Sequence, residues 1–282
     1  MNDAVREPIV AGMFYPASHD HLESALDGFV GTPAAATTPF FGAPVGLIAP
    51  HAGYVYSGKT AGRGYQVVAT LGRPEVVLVL GANHTGLGPA LCVDDRAAWR
   101  TPIGEMAIDR QIVASLVDGL GMATDRAPFE REHSIEVQLP FLQHLWGDDV
   151  TLVPILVQPT RPDVLSEAAL GIGQVVKACR SVLLVASSDF THYEPDGVAR
   201  SLDREALDLI LAGDPDRFLT LCQRERRSIC GAGAITLLLH LSGFLGLDEA
   251  RLIDYATSGD ITGDRDAVVG YASVTFFGRH NG

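Results

Sequence analysis

Four short apolar runs, Val45 to Ala49, Val76 to Leu80, Val150 to Val157 and Val182 to Ala186, recur along the chain, separated by stretches of helical periodicity. Runs of this length, rich in valine, isoleucine and leucine and ended by turn residues, read as strands buried on both faces. The intervening segments predict helices over His19–Val30 with Ser18 as N-cap, Gly58–Leu71, Ser134–Trp146, Val164–Arg180, Asp196–Ala212, Pro215–Arg226 and Ala232–Leu241. A further helix begins at Asp109, with Ile112, Val113, Leu116, Val117 and Leu120 on one face. Pro140 should bend the Ser134 helix or end it early, whereas Pro215 suits a first helical turn. Gly31 to Pro44 and Trp99 to Glu105 read as loops, and Ala90 to Asp94 as a short strand. Strands alternating with helices imply an α/β fold: a mostly parallel central sheet covered by helices on both faces. Arg251–Thr257 and Ala267–Phe277 differ, and predict an antiparallel pair near the C-terminus. No repeat or linker interrupts the pattern, so one domain over residues 1–282 is expected.

Charge narrows the partners. The 282 residues carry a formal charge of −13, which argues against nucleic acid and against an anionic membrane surface. No apolar run approaches the roughly 20 residues of a membrane span. Cys92, Cys179, Cys222 and Cys230 form no CxxC pair, and no basic-then-apolar leader is present, so the expected setting is the cytoplasm, with reduced thiols.

The chemistry concentrates where the strands end. Ile48-Ala49-Pro50-His51-Ala52-Gly53-Tyr54 and Gly81-Ala82-Asn83-His84-Thr85-Gly86 each set one histidine just past a buried run. In an open parallel sheet, ligands collect beyond the carboxyl ends of the strands, and imidazole is the commonest protein metal ligand. A catalytic metal site commonly needs a third protein ligand. Cys230, in Ser228-Ile229-Cys230-Gly231-Ala232-Gly233-Ala234, is the best candidate, because the start of the following helix would favour a thiolate. A small buried side chain at a helix start is the alternative reading of that cysteine.

Ser187-Ser188-Asp189-Phe190-Thr191-His192-Tyr193 should open onto the same crevice. There Asp189 could orient a histidine by accepting from its ring N–H, and His192 could transfer protons near neutrality. Asp189 as an N-cap and His192 as a solvated loop residue fit the same positions. Glu132-His133-Ser134-Ile135-Glu136 is a third cluster, in which His133 either faces the site or stabilises a turn. Gly58-Lys59-Thr60 lacks the spacing of a phosphate-binding loop, which leaves nucleotide binding little support.

Together with Glu132 to Phe141 and Tyr255-Ala256-Thr257-Ser258-Gly259-Asp260, these segments resemble, in order and over nearly the whole chain, the MEMO family, whose prokaryotic members are called AmmeMemoRadiSam system protein B. The resemblance implies a fold similar to the LigB-type class III extradiol dioxygenases, which hold non-haem iron(II) with two histidines and a glutamate. It places His51, His84 and Cys230 as metal ligands, with iron(II) as the expected metal and copper as the other candidate. Asp189 and His192 then match the pair behind the ligands, His192 standing for the acid/base histidine.

Cys230 in place of the glutamate argues against ring cleavage. Phe14 stands where eukaryotic members carry a tryptophan, which weakens a transfer of their phosphotyrosine-peptide binding. The system name implies an AMMECR-type protein and a radical SAM protein as companions. Two functions are therefore expected: a metal-dependent redox protein acting on a small molecule or peptide, with His192, Asp189 and His133 as catalytic candidates, or a non-catalytic peptide- or protein-binding module. In the second case Tyr15, Tyr54, Tyr56 and Tyr193 would supply contacts.

Overall fold

The computed structural model describes residues 4–31, 44–179 and 181–278. The loop expected between Gly31 and Pro44 lies, apart from its end residues, outside them. In chain order the strands are β1 (Val5–Arg6), β2 (Val45–Ala49), β3 (Val76–Ala82), β4 (Leu91–Val93), β5 (Ala98–Arg100), β6 (Glu105–Ala107), β7 (Ala123–Thr124), β8 (Thr151–Val157), β9 (Val182–Ser187), β10 (His192–Glu194), β11 (Glu249–Thr257) and β12 (Val268–Phe277). The helices are α1 (His19–Val30), α2 (Tyr54–Ala69), α3 (Arg110–Ala114), α4 (Leu139–Trp146), α5 (Pro162–Val176), α6 (Asp196–Leu211), α7 (Pro215–Arg224), α8 (Ala232–Leu245) and α9 (Gly259–Thr262).

The main sheet runs β10-β12-β2-β9-β3-β8-β4-β7, with β11 paired to β12. Its centre, β2-β9-β3-β8, is parallel throughout, as the unbroken apolar runs imply. β12 is antiparallel to both β2 and β11, which is the expected C-terminal addition. A second antiparallel strand, β4 on β8, lies towards the opposite edge and was not expected. The path from β2 through α2 to β3 and the path from β8 through α5 to β9 cross the sheet in opposite directions. Right-handed crossovers therefore put α2 and α5 on opposite faces. α1 and α4 pack with α2, and α7 and α8 with α5 and its neighbours. Buried side chains from Val10 to Phe276 form one hydrophobic cluster between these layers.

Several local expectations give way to tertiary contacts. α2 starts at Tyr54 rather than Gly58, because the Tyr56 and Ser57 amides already donate to Gly53 O at 2.8 and 3.1 Å. Glycines in a helix interior lower its propensity, but a Cβ at Gly58 or Gly62 would come within 2.6 Å of Phe29 on α1. Trp99 to Glu105 is a hairpin, not a loop: β5 and β6 pair antiparallel, and β1 joins β5. The helix expected from Ser134 begins only at Leu139, after a 3-10 turn over Glu136–Gln138. Pro140 then sits in its first turn, where the missing N–H is not needed, so it starts the helix instead of bending it. α3 passes into a π-helical turn over Ser115–Gly119, and Leu120 turns outward, 40% exposed.

At the far end of the C-terminal pair, Asp196 gathers Arg200 Nε at 2.9 Å, Arg265 Nη1 at 2.6 Å and the Thr257 hydroxyl at 2.6 Å. The Arg200 hydrogen bond, with that of Thr257, holds its carboxyl down at about 2. A carboxyl below its unfolded value contributes stability above about pH 4 that is lost as pH falls towards 2. In urea titrations, Asp196→Asn should therefore show a shallower loss of midpoint between pH 4 and 2 than the parent chain.

Candidate metal centre

β9 lies between β2 and β3, with Ser187 level with Ala49 on one side and Gly81 on the other. His51 and His84 leave the two flanking strands just beyond this line, so the sheet brings them together across 33 residues of sequence. One donor atom from each of His51, His84 and Cys230 lies within 4.8 Å of the others. The His51 and His84 rings stand perpendicular, with centroids 5.2 Å apart.

A chain of hydrogen bonds sets the His51 tautomer. The Tyr65 hydroxyl donates to Gln138 Oε1 at 2.9 Å, which turns the amide nitrogen towards Pro50 O and Ser187 Oγ at 2.9 and 2.8 Å. Ser187 donates its own proton to Ser134 O at 2.6 Å. Its oxygen can then only accept from His51 Nδ1, 3.0 Å away. His51 Nε2 is left as a bare lone pair, 3.2 Å from Cys230 Sγ. Burial, reinforced by the neighbouring imidazoles of His133, His84 and His192, holds the ring well below the usual histidine range. Burial thus favours the neutral ring, the form in which an imidazole can ligate a metal.

His84 is held differently. Glu132, fully buried, accepts from His84 N at 2.6 Å and from its ring Nδ1 at 2.9 Å. It also accepts the amides of His133 and Ser134, each at 2.8 Å. Burial opposes ionisation of this carboxyl, but the bond to His84 and the backbone donors outweigh it, and its pKa falls. The His84 ring is raised in turn, the Glu132 bond overcoming burial. With Nδ1 engaged, Nε2 is the donor left to the site. A carboxylate behind a ligating histidine is a recurrent device at metal centres.

Cys230 precedes α8 as expected, with Gly231 allowing the close approach: a Cβ there would lie 2.5 Å from Ser188 Cβ and 2.7 Å from Ser187 O. The Asp189 amide donates to its sulfur at 3.2 Å. The expectation of a thiolate favoured by the helix start is not met by the protein alone. Burial pushes the thiol up, and the nearby Asp189 charge adds to that. Sγ lies 3.2 Å from the bare His51 nitrogen and 3.6 Å from Asp189 O, either of which can accept from the thiol.

Asp189 orients His51 through its backbone rather than its ring, accepting from His51 N at 2.8 Å and Ala52 N at 3.3 Å. Ring orientation belongs to Ser187 and Glu132, neither of which the motifs singled out. Burial raises the Asp189 carboxyl to about 6 despite these bonds. The His192 amide donates to Ser228 Oγ and its Nδ1 to Ser228 O, both at 2.8 Å, which leaves Nε2 free on a half-buried ring. His133 faces the cluster: its ring stacks on His84 at 5.0 Å and stands perpendicular to His51 at 5.4 Å.

The N-terminal segment closes this side. Phe14 meets His133 edge-on at 4.7 Å. Glu136 accepts from Arg6 Nη1 at 2.7 Å, from the amides of Ile9 and Val10, and from the Tyr15 hydroxyl at 2.7 Å. Arg6 also stacks 4.0 Å over Trp99.

An α/β sheet with two histidines and a cysteine converging at its carboxyl edge defines a class of candidate metal proteins. A family model described as Memo-like protein matches residues 6–275, and the chain belongs to that family. It is 39% identical over 280 residues to a MEMO1 family protein of Methanopyrus kandleri, covering 96% of this chain and 98% of the relative. It is 37% identical to one of Thermotoga neapolitana, covering 96% and 99%. An uncharacterized protein of Escherichia coli K12 shares the fold, with a TM-score of 0.53 at 14% identity over 82% of this chain and 98% of that one.

Removing one partner of a buried ion pair leaves the other charge uncompensated, at about 3–5 kcal/mol. Glu136→Ala should lose stability on that scale in urea unfolding, with Arg6 left buried opposite an empty site.

Proposed function

We propose that this chain is a metal-dependent redox protein that holds iron(II), or alternatively copper, through His51 Nε2, His84 Nε2 and Cys230 Sγ. The supporting observation is the convergence of three donors whose opposite sides are already committed: His51 Nδ1 to Ser187 and His84 Nδ1 to Glu132, with Cys230 Sγ beside the free His51 nitrogen. One thiolate with two imidazoles suits iron, copper or zinc rather than magnesium or calcium. Such an ion would supply one-electron chemistry and open positions for oxygen or substrate. Around it, the residues have separable tasks. His192, with Nδ1 committed to Ser228, takes up or gives a proton at Nε2. Asp189 keeps the His51 turn in place through its amides. His133 walls the site beside His84 and, with Phe14, limits what a small-molecule or peptide substrate can present there.

Anaerobic metal analysis tests this. The parent chain should take up about one iron(II) or copper(I) at micromolar supply, and Cys230→Ser or His51→Ala should take up none. Glu132→Gln should bind 10- to 100-fold more weakly, on the usual scale for a group behind a ligand. A parent chain that stays metal-free at micromolar iron(II) and copper(I) would overturn the reading.

A second reading, peptide recognition without catalysis, draws on Tyr56 and Tyr193, which are 42% and 77% exposed. Both lie near enough, with Asp189, to raise the Tyr271 hydroxyl beyond what burial does alone. Tyr15 and Tyr54 drop out as contacts, since each is only 3% exposed. On this reading, a bound peptide is retained by Cys230→Ala and lost from a Tyr56→Ala, Tyr193→Ala double variant in calorimetric titration.

A further inference from the structure

The Tyr255–Asp260 stretch supplies none of the three donors, and its tyrosine meets Asp203 instead. The Tyr255 hydroxyl donates to Asp203 Oδ2 at 2.7 Å. Asp203 lies on α6 with no exposed surface, and its other oxygen accepts from Thr191 N at 2.9 Å and Thr191 Oγ1 at 2.6 Å. Gly270 completes the enclosure. Its amide donates to Thr191 O at 2.9 Å, and its carbonyl accepts from Phe190 N at 2.8 Å. A Cβ at residue 270 would stand 2.0 Å from Asp203 Oδ2, so only glycine fits beside the carboxylate.

Both peptide groups of Thr191 are thus pinned, and the next residue is His192. Tyr193 follows in the left-handed region, at φ 60, a conformation that a tyrosine holds only where its surroundings over-determine it. Among the described residues, no lysine or arginine forms an ion pair with Asp203. A neutral amide would keep only one accepting oxygen, so it would lose or reverse the bond from the Tyr255 hydroxyl. The chain instead keeps a buried acid one residue behind the imidazole, and burial raises its pKa.

We propose that Asp203, braced by Tyr255, is a positioning residue that grips Thr191 and so aims the His192 imidazole at the Ser228–Cys230 side of the site. The proposal rests on the proton-transfer role given to His192 above, but its geometry does not require a bound metal. Three bonds at Asp203 behind Thr191 and two from His192 to Ser228 in front fix the segment at both ends.

Histidine ring signals in metal-free protein test it, with the His192 peak assigned by its absence in His192→Gln. Asp203→Asn and Thr191→Val should each move the His192 ring peak and alter its titration curve. The peaks of His144 and His240 should stay in place, and iron(II) uptake should match that of the parent. A role confined to stability would lower the melting temperature yet leave the His192 peak and curve as in the parent, and that result overturns the proposal. Should Asp203→Asn fail to fold, Thr191→Val decides, since it removes one hydroxyl and keeps side-chain size. A parent chain that binds neither iron(II) nor copper(I) fails the metal reading alone, because the ring signals still decide this one.

Discussion

Ser187 ends the central strand with its hydroxyl fully buried, where it donates to Ser134 O and accepts from Gln138 Nε2 and His51 Nδ1. Three segments distant in sequence meet at that one oxygen: the turn after β2, the stretch leading into α4, and β9 itself. A buried polar network is stable only when every member is satisfied, and here the count closes only with His51 protonated on Nδ1. The sheet register brings the turn to the site, and this hydroxyl decides which nitrogen faces inward.

Buried acids carry the rest of the architecture, and each is compensated in its own way. Glu136 has a guanidinium, Glu132 a histidine and three amides, Asp189 two amides, and Asp203 two hydroxyls and an amide. Glu132 and Asp189 act on the two histidines from behind. Glu136 fastens the N-terminal segment whose Phe14 touches His133. The residues that line the cluster are therefore held by carboxylates on other elements, which limits their freedom. An incoming cation would enter a region already arranged around negative charge.

Much of this was legible in advance, because buried parallel strands write unbroken apolar runs and their carboxyl ends collect chemistry. His51, His84, Cys230, Asp189, His192 and His133 all stood in recognisable turns. Glu132 and Ser187 did not stand out, although both lay inside stretches already marked as interesting. A glutamate beside a histidine looks like a solvated helix start, and a serine at a strand end looks like a turn residue. Nothing local reveals that each is fully buried. Asp203 was hidden for the same reason, sitting in a helix whose neighbours are mostly charged.

The sequence by itself determined the α/β class, the parallel centre, the antiparallel C-terminal pair and the residues available to the site. These follow from side-chain periodicity and turn chemistry, which are properties of neighbours in the chain. Tertiary structure alone decided that β9 inserts between β2 and β3, that Pro140 opens a helix, that Trp99 to Glu105 pairs as a hairpin, and which ring nitrogen of each histidine faces inward. The strand order and the ring orientations depend on pairings between residues tens to more than a hundred positions apart, and the hairpin is joined by β1 from far back in the chain. Such contacts leave no period in the sequence, since burial and pairing across the fold exist only once the layers have packed.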